Sequence, residues 1–234
     1  MLPKGIVAAF SSRGTGNMSL FYGNTDNALL HRERFLRGAG VMHTDLVCAK
    51  QIHASTVRYV KEEDRGRGAL SYEASVPDTD AFITDRKQVP LAIFTADCLS
   101  IFLFDRKAPA IGLVHAGWRS SKDRITAKTL AAMHEKFGTL PENILAGFGP
   151  SIRSCCYEVG SEFEAFFPEA LVKRGGRSYL DLIGENRRQL IGAGIREANI
   201  FDPEICTSCR GVEFFSFRKE GKACGRMMSV MMLT

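Results

Sequence analysis

Two apolar segments separated by a short polar stretch constrain this fold more than any other feature of the chain. Residues 99–104 are apolar at nearly every position, residues 110–115 are similar, and the polar stretch 105–109 lies between them. A strand buried on both faces is apolar throughout, whereas a strand with one exposed face alternates between apolar and polar residues. The two segments therefore predict a β-hairpin buried inside a layered protein.

Shorter apolar runs bounded by turn residues predict further strands along the chain. They lie at residues 5–10, 45–49, 56–60, 80–84, 91–96, 144–148, 212–217 and 227–232. Polar capping residues predict helices between these strands. The caps are Asn27 for a helix through residue 36, Ser121 for 122–137, Ser161 and Asp181. This mixture predicts an α+β (mixed α/β) layered fold in a single domain, residues 1–234, and not a regular doubly wound sheet.

Charge and hydropathy narrow the range of partners. The 31 basic and 26 acidic residues give a net charge of +5, and no run of lysine or arginine dominates. This balance permits an anionic substrate but does not predict nucleic-acid binding. No segment is long and apolar enough to span a membrane, and the N-terminus lacks a secretory signal pattern. We therefore expect a cytoplasmic protein without membrane contact.

The seven cysteines predict free thiols. An odd number of cysteines in a chain of this length is typical of reduced cytoplasmic proteins. Cys206 and Cys209 form a single C-x-x-C motif, whereas a zinc ribbon needs a second pair. Cys155, Cys156 and Cys224 are further thiols available to such a motif. We expect free thiols or one opportunistic pair here, and no second metal site.

A thiol and an imidazole lie at matching positions of the predicted hairpin. If Asp105 pairs with Ala108, Cys98 lies directly opposite His115, with Cβ atoms about 5 Å apart on one face of the sheet. Such a pair can share a metal ion or exchange a proton. A lone buried cysteine or histidine is usually a core residue, but the neighbours of this pair favour a functional site. These neighbours are Asp97, Trp118 and Arg119.

The same stretch resembles a known family. The sequences TADC at residues 95–98 and HAGWR at residues 115–119 resemble two motifs of the laccase-domain, or YfiH-like, family. Further similar blocks occur in order along the chain, which makes the resemblance far more specific than one motif. They are SSRG at 11–14, KQIH at 50–53, DTDA at 78–81, GPSI at 149–152, CYEVG at 156–160, and a C-terminal set at 206–207, 215–218 and 225–227. The resemblance implies a YfiH-like α/β/β/α sandwich.

The resemblance also implies a mononuclear zinc site. Its ligands are the histidines and cysteine of the matching motifs, namely His53, Cys98 and His115. Two imidazoles and one thiolate suit Zn²⁺, and three protein ligands leave a fourth position for water or substrate. Zinc in such a site lowers the pKa of a coordinated water to about 7.

Family membership would imply chemistry on purine nucleosides and phosphate. The implied reactions are phosphorolysis of adenosine, inosine, guanosine and methylthioadenosine, together with hydrolytic deamination of adenosine. Cys98 and His115 would form the catalytic centre. A multicopper oxidase is a poorer interpretation, because five histidines in the whole chain are too few for its copper ligands.

Phosphorolysis requires a phosphate held beside the ribose, and arginine forks suit phosphate. Three arginines in the motif blocks are the candidate phosphate ligands: Arg13, Arg119 and Arg218. Asp97, beside a predicted ligand, is interpreted as an acceptor that orients His53 or His115, or else as an acid or base.

Two other functions stay open on this sequence. One is a cysteine hydrolase or amidase with Cys98 as nucleophile and His115 as base, including one that edits cell-wall precursors. The other is a non-catalytic metal-binding or redox module. A chelator distinguishes the zinc-dependent nucleoside enzyme from the cysteine hydrolase, since it abolishes zinc chemistry and spares a Cys/His pair. The sequence also leaves the oligomeric state open.

Overall fold

The computed structural model describes residues 4–234, and the strands in that range form sheets of six, four and three strands. In chain order the strands are β1 Ile6–Phe10, β2 Val47–Cys48, β3 Val57–Tyr59, β4 Ala81–Thr84, β5 Leu91–Thr95, β6 Leu99–Asp105, β7 Ala110–Ala116, β8 Ile144–Phe148, β9 Glu158–Val159, β10 Leu171–Arg174, β11 Arg177–Leu180, β12 Ile200–Phe201 and β13 Met227–Leu233. The helices are α1 Thr25–Arg37, α2 Trp118–Lys122, α3 Ile125–Phe137, α4 Phe163–Phe166, α5 Leu182–Gly192 and α6 Phe217–Glu220. None of the helices within residues 4–234 is long and apolar enough to cross a membrane.

The predicted hairpin forms the centre of the largest sheet. The strand order of that sheet is β12-β8-β6-β7-β4-β3, so β6 and β7 are both flanked on each side. The second sheet has the order β1-β13-β5-β2, and the small third sheet has the order β10-β11-β9. Central strands are covered on both faces, which explains why β6 and β7 are apolar almost throughout.

Three apolar cores separate four layers of secondary structure. Leu103 of β6 and Val114 of β7 pack with Met133 of α3 on one face of the large sheet. Between the two large sheets, Ile111 of β7 packs in a core with Leu91 of β5. Full burial of side chains such as these contributes about 1.5–3 kcal/mol each.

The third core lies under α1 and completes the α/β/β/α order. Successive residues of a strand point to opposite faces of its sheet. In β13, Val230 packs in the core that contains Leu36 of α1, whereas Met231 packs in the core between the sheets.

The mixed α/β fold predicted from the sequence is confirmed.

The hairpin register differs from the predicted one. Asp105 pairs with Ala110, so Ser100 and not Cys98 lies opposite His115. The cause is the loop: Asp105 Oδ1 accepts hydrogen bonds from the backbone N–H groups of residues 107 and 108, at 2.8 and 3.2 Å, and this turn needs four residues. Because the register shifts by an even number of residues, residue 98 keeps its place on the face that carries His115.

The helix predicted over residues 122–137 corresponds to α3, which begins at Ile125, and the predicted cap Ser121 lies inside the shorter α2. Arg124, between them, has a left-handed φ of 61°. Two side chains of α5 hydrogen-bond Ser121: the Asn186 Nδ2 donates to its Oγ at 2.9 Å, and the Gln189 Nε2 donates to its carbonyl at 2.8 Å. These contacts satisfy the end of α2 and allow the chain to turn before α3 begins at Ile125.

Other boundaries also differ from the prediction. The capping residue of α1 is Asn24, whose Oδ1 accepts from the Asn27 backbone, so this helix begins one turn earlier than expected. The predicted Ser161 cap is wrong, since the side chain of Ser161 forms no cap at α4. Residues 212–216 form a turn, a bend and irregular backbone, and α6 begins at residue 217, where the end of a strand over 212–217 was expected. The Asp181 cap of α5 is confirmed by its hydrogen bond from the Gly184 backbone at 2.9 Å.

Candidate metal centre

Two histidines and a cysteine from separate parts of the chain meet at one end of the space between the two large sheets. The ligand atoms of His53, Cys98 and His115 all lie within 4.8 Å of one another. The distance from Cys98 Sγ to His53 Nε2 is 3.8 Å, and the two imidazole rings are 4.8 Å apart between centroids. Tetrahedral zinc with Zn–N near 2.0 Å and Zn–S near 2.3 Å separates such ligands by about 3.5 Å. The arrangement thus fits a zinc ion with little movement.

His115 is held by its strand and by a buried carboxylate. It lies near the end of β7 and shares the face of Ile111 and Leu113, so its ring points into the space between the sheets. Its Nδ1 lies 2.7 Å from Asp80 Oδ1, and both side chains are buried. Since Nδ1 is engaged with Asp80, Nε2 is the nitrogen available to a metal or to Cys98.

The same carboxylate fixes the loop that carries His53. The backbone N–H groups of His53 and Ala54 donate to Asp80 at 3.0 and 2.9 Å, and that of Ile52 donates at 3.3 Å. Burial opposes the charge of Asp80, but the hydrogen bond from His115 and these backbone donors lower its pKa below the ordinary value. Asp80 therefore positions two of the three candidate ligands at once.

Gln51 attaches this loop to the neighbouring sheet. Its side-chain amide forms both backbone hydrogen bonds of Phe94 in β5: Nε2 donates to the Phe94 carbonyl at 2.9 Å, and Oε1 accepts from the Phe94 N–H at 2.7 Å. The loop between β2 and β3 is thus fixed from both sides. His53 itself adopts a left-handed φ of 61°, which this support maintains.

Cys98 lies in the tight connection between β5 and β6, beside Asp97. The Asp97 carboxylate accepts hydrogen bonds from Thr207 Oγ1 at 2.6 Å and from the Arg218 backbone at 2.7 Å, and also from Ser216 Oγ. These bonds attach the Cys98 loop to the C-terminal part of the chain. The predicted role of orienting a histidine is performed by Asp80 instead, because the Asp97 oxygens are directed to these other donors.

The thiol and the imidazole stabilise each other as an ion pair in the metal-free protein. Burial alone would raise the pKa of Cys98, but the charge and hydrogen bonds of His115 and His53 outweigh it and lower this pKa to about 6. Burial likewise opposes the charge of His115, but Cys98 and Asp80 raise its pKa to about 9. At neutral pH the sulfur is therefore a thiolate, which is the form that binds metals and acts as a nucleophile.

Gly117 leaves room for this cluster. A Cβ at this position would lie 3.0 Å from His53 Cδ2 and 3.2 Å from Cys98 Sγ. The backbone φ of Gly117 is −82°, which any residue adopts, so the requirement for glycine here is one of space. The HAGWR motif thus supplies a candidate ligand and also the gap beside it.

A cavity of about 860 Å³ opens from the candidate ligands. Its lining is largely apolar and aromatic, and the charged residues in it are five basic ones and one acidic one, Asp97. The basic residues are Arg32, Arg119, Arg218, Lys222 and Arg226. This excess of positive charge suits an anionic ligand.

Of the three arginines predicted to bind substrate, two line the cavity. The guanidinium of Arg119 lies 4.4 Å above the ring of Trp118, which also lines the cavity and packs against Phe163. Arg218 donates to the Glu158 carbonyl at 2.9 Å. Arg13 is placed elsewhere: it pairs with Glu220, donates to the Phe214 carbonyl at 3.1 Å and is absent from the cavity lining.

Sequence reasoning assigned no role to Tyr157, although it lies within a motif block. Its ring lines the cavity, 5.3 Å from the guanidinium of Arg218. Burial, and then the charge of Cys98, raise the pKa of this phenol above its ordinary value. Tyr157 is thus a neutral hydrogen-bond donor near the thiolate. Among the signals in the sequence, only its place in the CYEVG block pointed to it.

The remaining described histidines are engaged in local structure or lie apart from this cluster. His31 Nδ1 hydrogen-bonds the Asn17 carbonyl and His134 Nδ1 that of Thr139, each at 2.9 Å. His43 lies in a short 3₁₀ turn.

No disulfide joins any of the seven cysteines in the structure. Four of them nevertheless form a cluster that was not expected, with all sulfurs within 4.8 Å of one another. They are Cys155, Cys156, Cys206 and Cys209. Cys224 is separate from this cluster and lies beside Arg226.

Comparisons with known proteins identify relatives over most of the chain. The model of a family described as multi-copper polyphenol oxidoreductase laccase matches residues 9–234. The chain is 33% identical over 192 residues to purine nucleoside phosphorylase YlmD of Geobacillus stearothermophilus, covering 78% of this chain and 70% of that one. It is 34% identical over 196 residues to adenosine deaminase RL5 of an unknown prokaryotic organism, covering 80% of this chain and 74% of that one.

Solved structures agree with this. The crystal structure of YlmD from Geobacillus stearothermophilus matches with a TM-score of 0.94 at 30% identity, over 98% of this chain and 92% of that one. The crystal structure of the Bacillus licheniformis protein YfiH matches with a TM-score of 0.94 at 29% identity, over 98% of this chain and 93% of that one.

Proposed function

The chain belongs to the multi-copper polyphenol oxidoreductase laccase family, as its motifs predicted, and we propose that it is a zinc-dependent enzyme of purine nucleosides. The proposed reactions are phosphorolysis of adenosine, inosine, guanosine and methylthioadenosine, and hydrolytic deamination of adenosine. One observation carries the proposal: His53, Cys98 and His115 converge at the end of a basic cavity. The names of the relatives, purine nucleoside phosphorylase and adenosine deaminase, support the substrate class.

Zinc is the proposed cofactor because of the donor set. Two imidazole nitrogens and one thiolate are zinc ligands, and three protein donors leave a coordination position for a reactant. When bound, the ion supplies Lewis acidity at the cavity end. Copper oxidase chemistry is not proposed, despite the family description, because the chain has five histidines and two of them bond backbone carbonyls.

Arg119 and Arg218 are the proposed phosphate ligands. Both line the cavity that ends at Cys98, and guanidinium groups bind phosphate oxygens through paired N–H donors. Arg119 is stacked on Trp118, which leaves the edge of its guanidinium free to donate hydrogen bonds. Arg13 is not proposed as a ligand, since Glu220 and the Phe214 carbonyl already occupy its guanidinium.

Trp118 and Tyr157 are proposed to hold the nucleoside. The cavity volume of about 860 Å³ lies in the range of about 300–1,000 Å³ typical of small-molecule sites. Trp118 contributes an aromatic side chain to the cavity wall, against which a purine can pack. The neutral phenol of Tyr157 is available to donate a hydrogen bond to a purine nitrogen, where a proton donor favours departure of the base.

A second candidate function is a cysteine hydrolase or amidase, which would include one acting on cell-wall precursors. The observation that favours it is the order Cys98, His115, Asp80, in which a thiolate faces an imidazole and the imidazole is held by a carboxylate. This is the general arrangement of a nucleophile, a base and an orienting group.

Metal analysis of the purified protein, combined with phosphate-dependent release of hypoxanthine from inosine, tests the proposal. We expect stoichiometric zinc at this site, loss of activity on chelation and recovery when zinc is restored. The Cys98→Ala variant should lose both the ion and the activity. A protein that holds no stoichiometric zinc and releases no hypoxanthine from inosine with phosphate, or that acts on amides after chelation, would favour the hydrolase.

A further inference from the structure

Four cysteine sulfurs gather outside the candidate catalytic site. Cys155 and Cys156 follow β8, and Cys206 and Cys209 follow β12. β8 and β12 are parallel neighbours, with Ile200 paired to Ala146, so the chain leaves both strands at the same edge of the sheet. The sulfur of Cys209 lies 3.5 Å from that of Cys155 and 3.3 Å from that of Cys156.

We propose that these four cysteines bind a second, structural zinc ion. In a tetrahedral site with Zn–S near 2.3 Å, the sulfurs are about 3.8 Å apart. The four sulfurs here lie within 4.8 Å of one another, and Cys209 is 3.3 and 3.5 Å from two of the others, close to that value. Four thiolates close the coordination shell, which is typical of structural and not catalytic zinc.

The two segments that carry the four cysteines are held in place by contacts other than the thiols. The Thr207 N–H donates to the Ser151 carbonyl at 3.0 Å, which joins the two segments directly. Arg153 binds the Asp202 carboxylate with both terminal nitrogens. The Cys156 N–H donates to the Arg153 carbonyl at 2.9 Å, and that of Arg210 donates to the Cys206 carbonyl at 3.0 Å. The four sulfurs are therefore preorganised, which lowers the ordering cost of metal binding.

An ion at this position would connect two walls of the cavity. The segment with Cys155 and Cys156 also carries Ile152 and Tyr157, which line the cavity. The segment with Cys206 and Cys209 also carries Thr207, whose hydroxyl donates a hydrogen bond to the Asp97 carboxylate beside Cys98. The proposed role of the ion is therefore to fix the relative position of Tyr157 and Cys98.

Metal stoichiometry of the full-length protein tests the proposal. We expect two zinc ions per chain in the protein purified under reducing conditions. The Cys209→Ser variant should keep only the ion at Cys98. The Cys98→Ala variant should keep only the ion at the four cysteines. Cys224→Ser is the matched control, because this buried thiol lies outside the cluster, and it should retain both ions. Cys209→His should also retain both, since histidine replaces cysteine in many zinc sites.

X-ray absorption of the Cys98→Ala variant identifies the ligands of the remaining ion. Four sulfur neighbours near 2.3 Å are expected. The midpoint of thermal unfolding of the Cys98→Ala variant should exceed that of the Cys98→Ala/Cys209→Ser double variant. Added zinc should raise this midpoint only when Cys209 is intact.

These measurements do not depend on nucleoside turnover, so they separate this proposal from the proposed function. One zinc per chain with Cys98→Ala carrying none would overturn it. So would a disulfide among the four cysteines, seen by non-reducing mass spectrometry of freshly purified protein. Iron in place of zinc would overturn the assignment of the metal.

Discussion

Asp80 Oδ1 lies 2.7 Å from His115 Nδ1, and both side chains are buried. This bond keeps the proton on Nδ1 and directs Nε2 toward the sulfur of Cys98. The same carboxylate accepts the backbone N–H of His53. A single buried acid therefore sets the orientation of one candidate ligand and the position of another.

Asp80→Asn should weaken zinc binding by about 10- to 100-fold, because the amide no longer carries the charge that supports His115 and one of its atoms faces backbone donors. Competition with a chromophoric chelator measures the affinity. Asp85→Asn is the control, since Asp85 is a surface acid bonded to Tyr59, and its zinc affinity should equal that of the parent protein. Equal affinities for both variants would show that Asp80 has no supporting role.

Gly117→Ala should reduce nucleoside turnover by about 10- to 100-fold, because the added methyl group displaces His53 or Cys98. Steady-state phosphorolysis of inosine measures the effect, together with zinc content. Gly147→Ala is a suitable control, since its Cβ would lie 3.9 Å from Phe102 Cβ, an ordinary contact. If Gly117→Ala keeps full activity and full zinc content, the gap beside the cluster is not required.

The sequence was sufficient to predict the hairpin and the three candidate ligands, for different reasons. β6 and β7 are apolar nearly throughout, and burial on both faces of a central strand leaves that pattern. The hairpin pattern placed Cys98 and His115 on one face, whereas His53 came from motif resemblance alone, since no periodicity would have brought residue 53 near residue 98. That contact depends on Gln51 and Asp80, which attach the His53 loop to two different sheets.

The features that sequence reasoning missed depend on long-range or side-chain contacts. The hairpin register is set by Asp105 Oδ1 bonding two backbone N–H groups, and an alternative two-residue loop fits the apolar pattern equally well. The break after α2 depends on Asn186 and Gln189, more than 60 residues away. The four-cysteine cluster requires β8 and β12 to be neighbours, which follows from sheet order and not from local spacing.

The metal-free protein should have one unusually reactive thiol, Cys98. With a pKa of about 6 it is a thiolate at neutral pH, so its alkylation rate should rise with a midpoint near pH 6 and level off above. Alkylation of chelator-treated protein, mapped by mass spectrometry, gives the profile. Cys48 and Cys224 are internal references, because burial raises the pKa of each and both should stay unreactive. Added zinc should protect Cys98, whereas a midpoint near pH 9 would contradict the ion pair with His115.

Arg119→Ala and Arg218→Ala should each raise the KM for phosphate by about 10-fold or more, since loss of a charge-assisted hydrogen bond costs about 1.5–3 kcal/mol and 1.4 kcal/mol is a factor of ten. Arg58→Ala is the control, because this exposed arginine of β3 does not line the cavity, and its KM should not change.

Adenosine deamination consumes no phosphate, so it distinguishes a phosphate ligand from a residue that merely maintains the cavity. Each arginine variant should retain most of its deaminase turnover while phosphorolysis falls. Initial rates of both reactions, measured on one preparation with phosphate varied, give the comparison. Parallel loss of the two activities, or an unchanged KM for phosphate, would assign the guanidinium groups to the structure of the cavity wall and leave the phosphate site to Lys222 and Arg226.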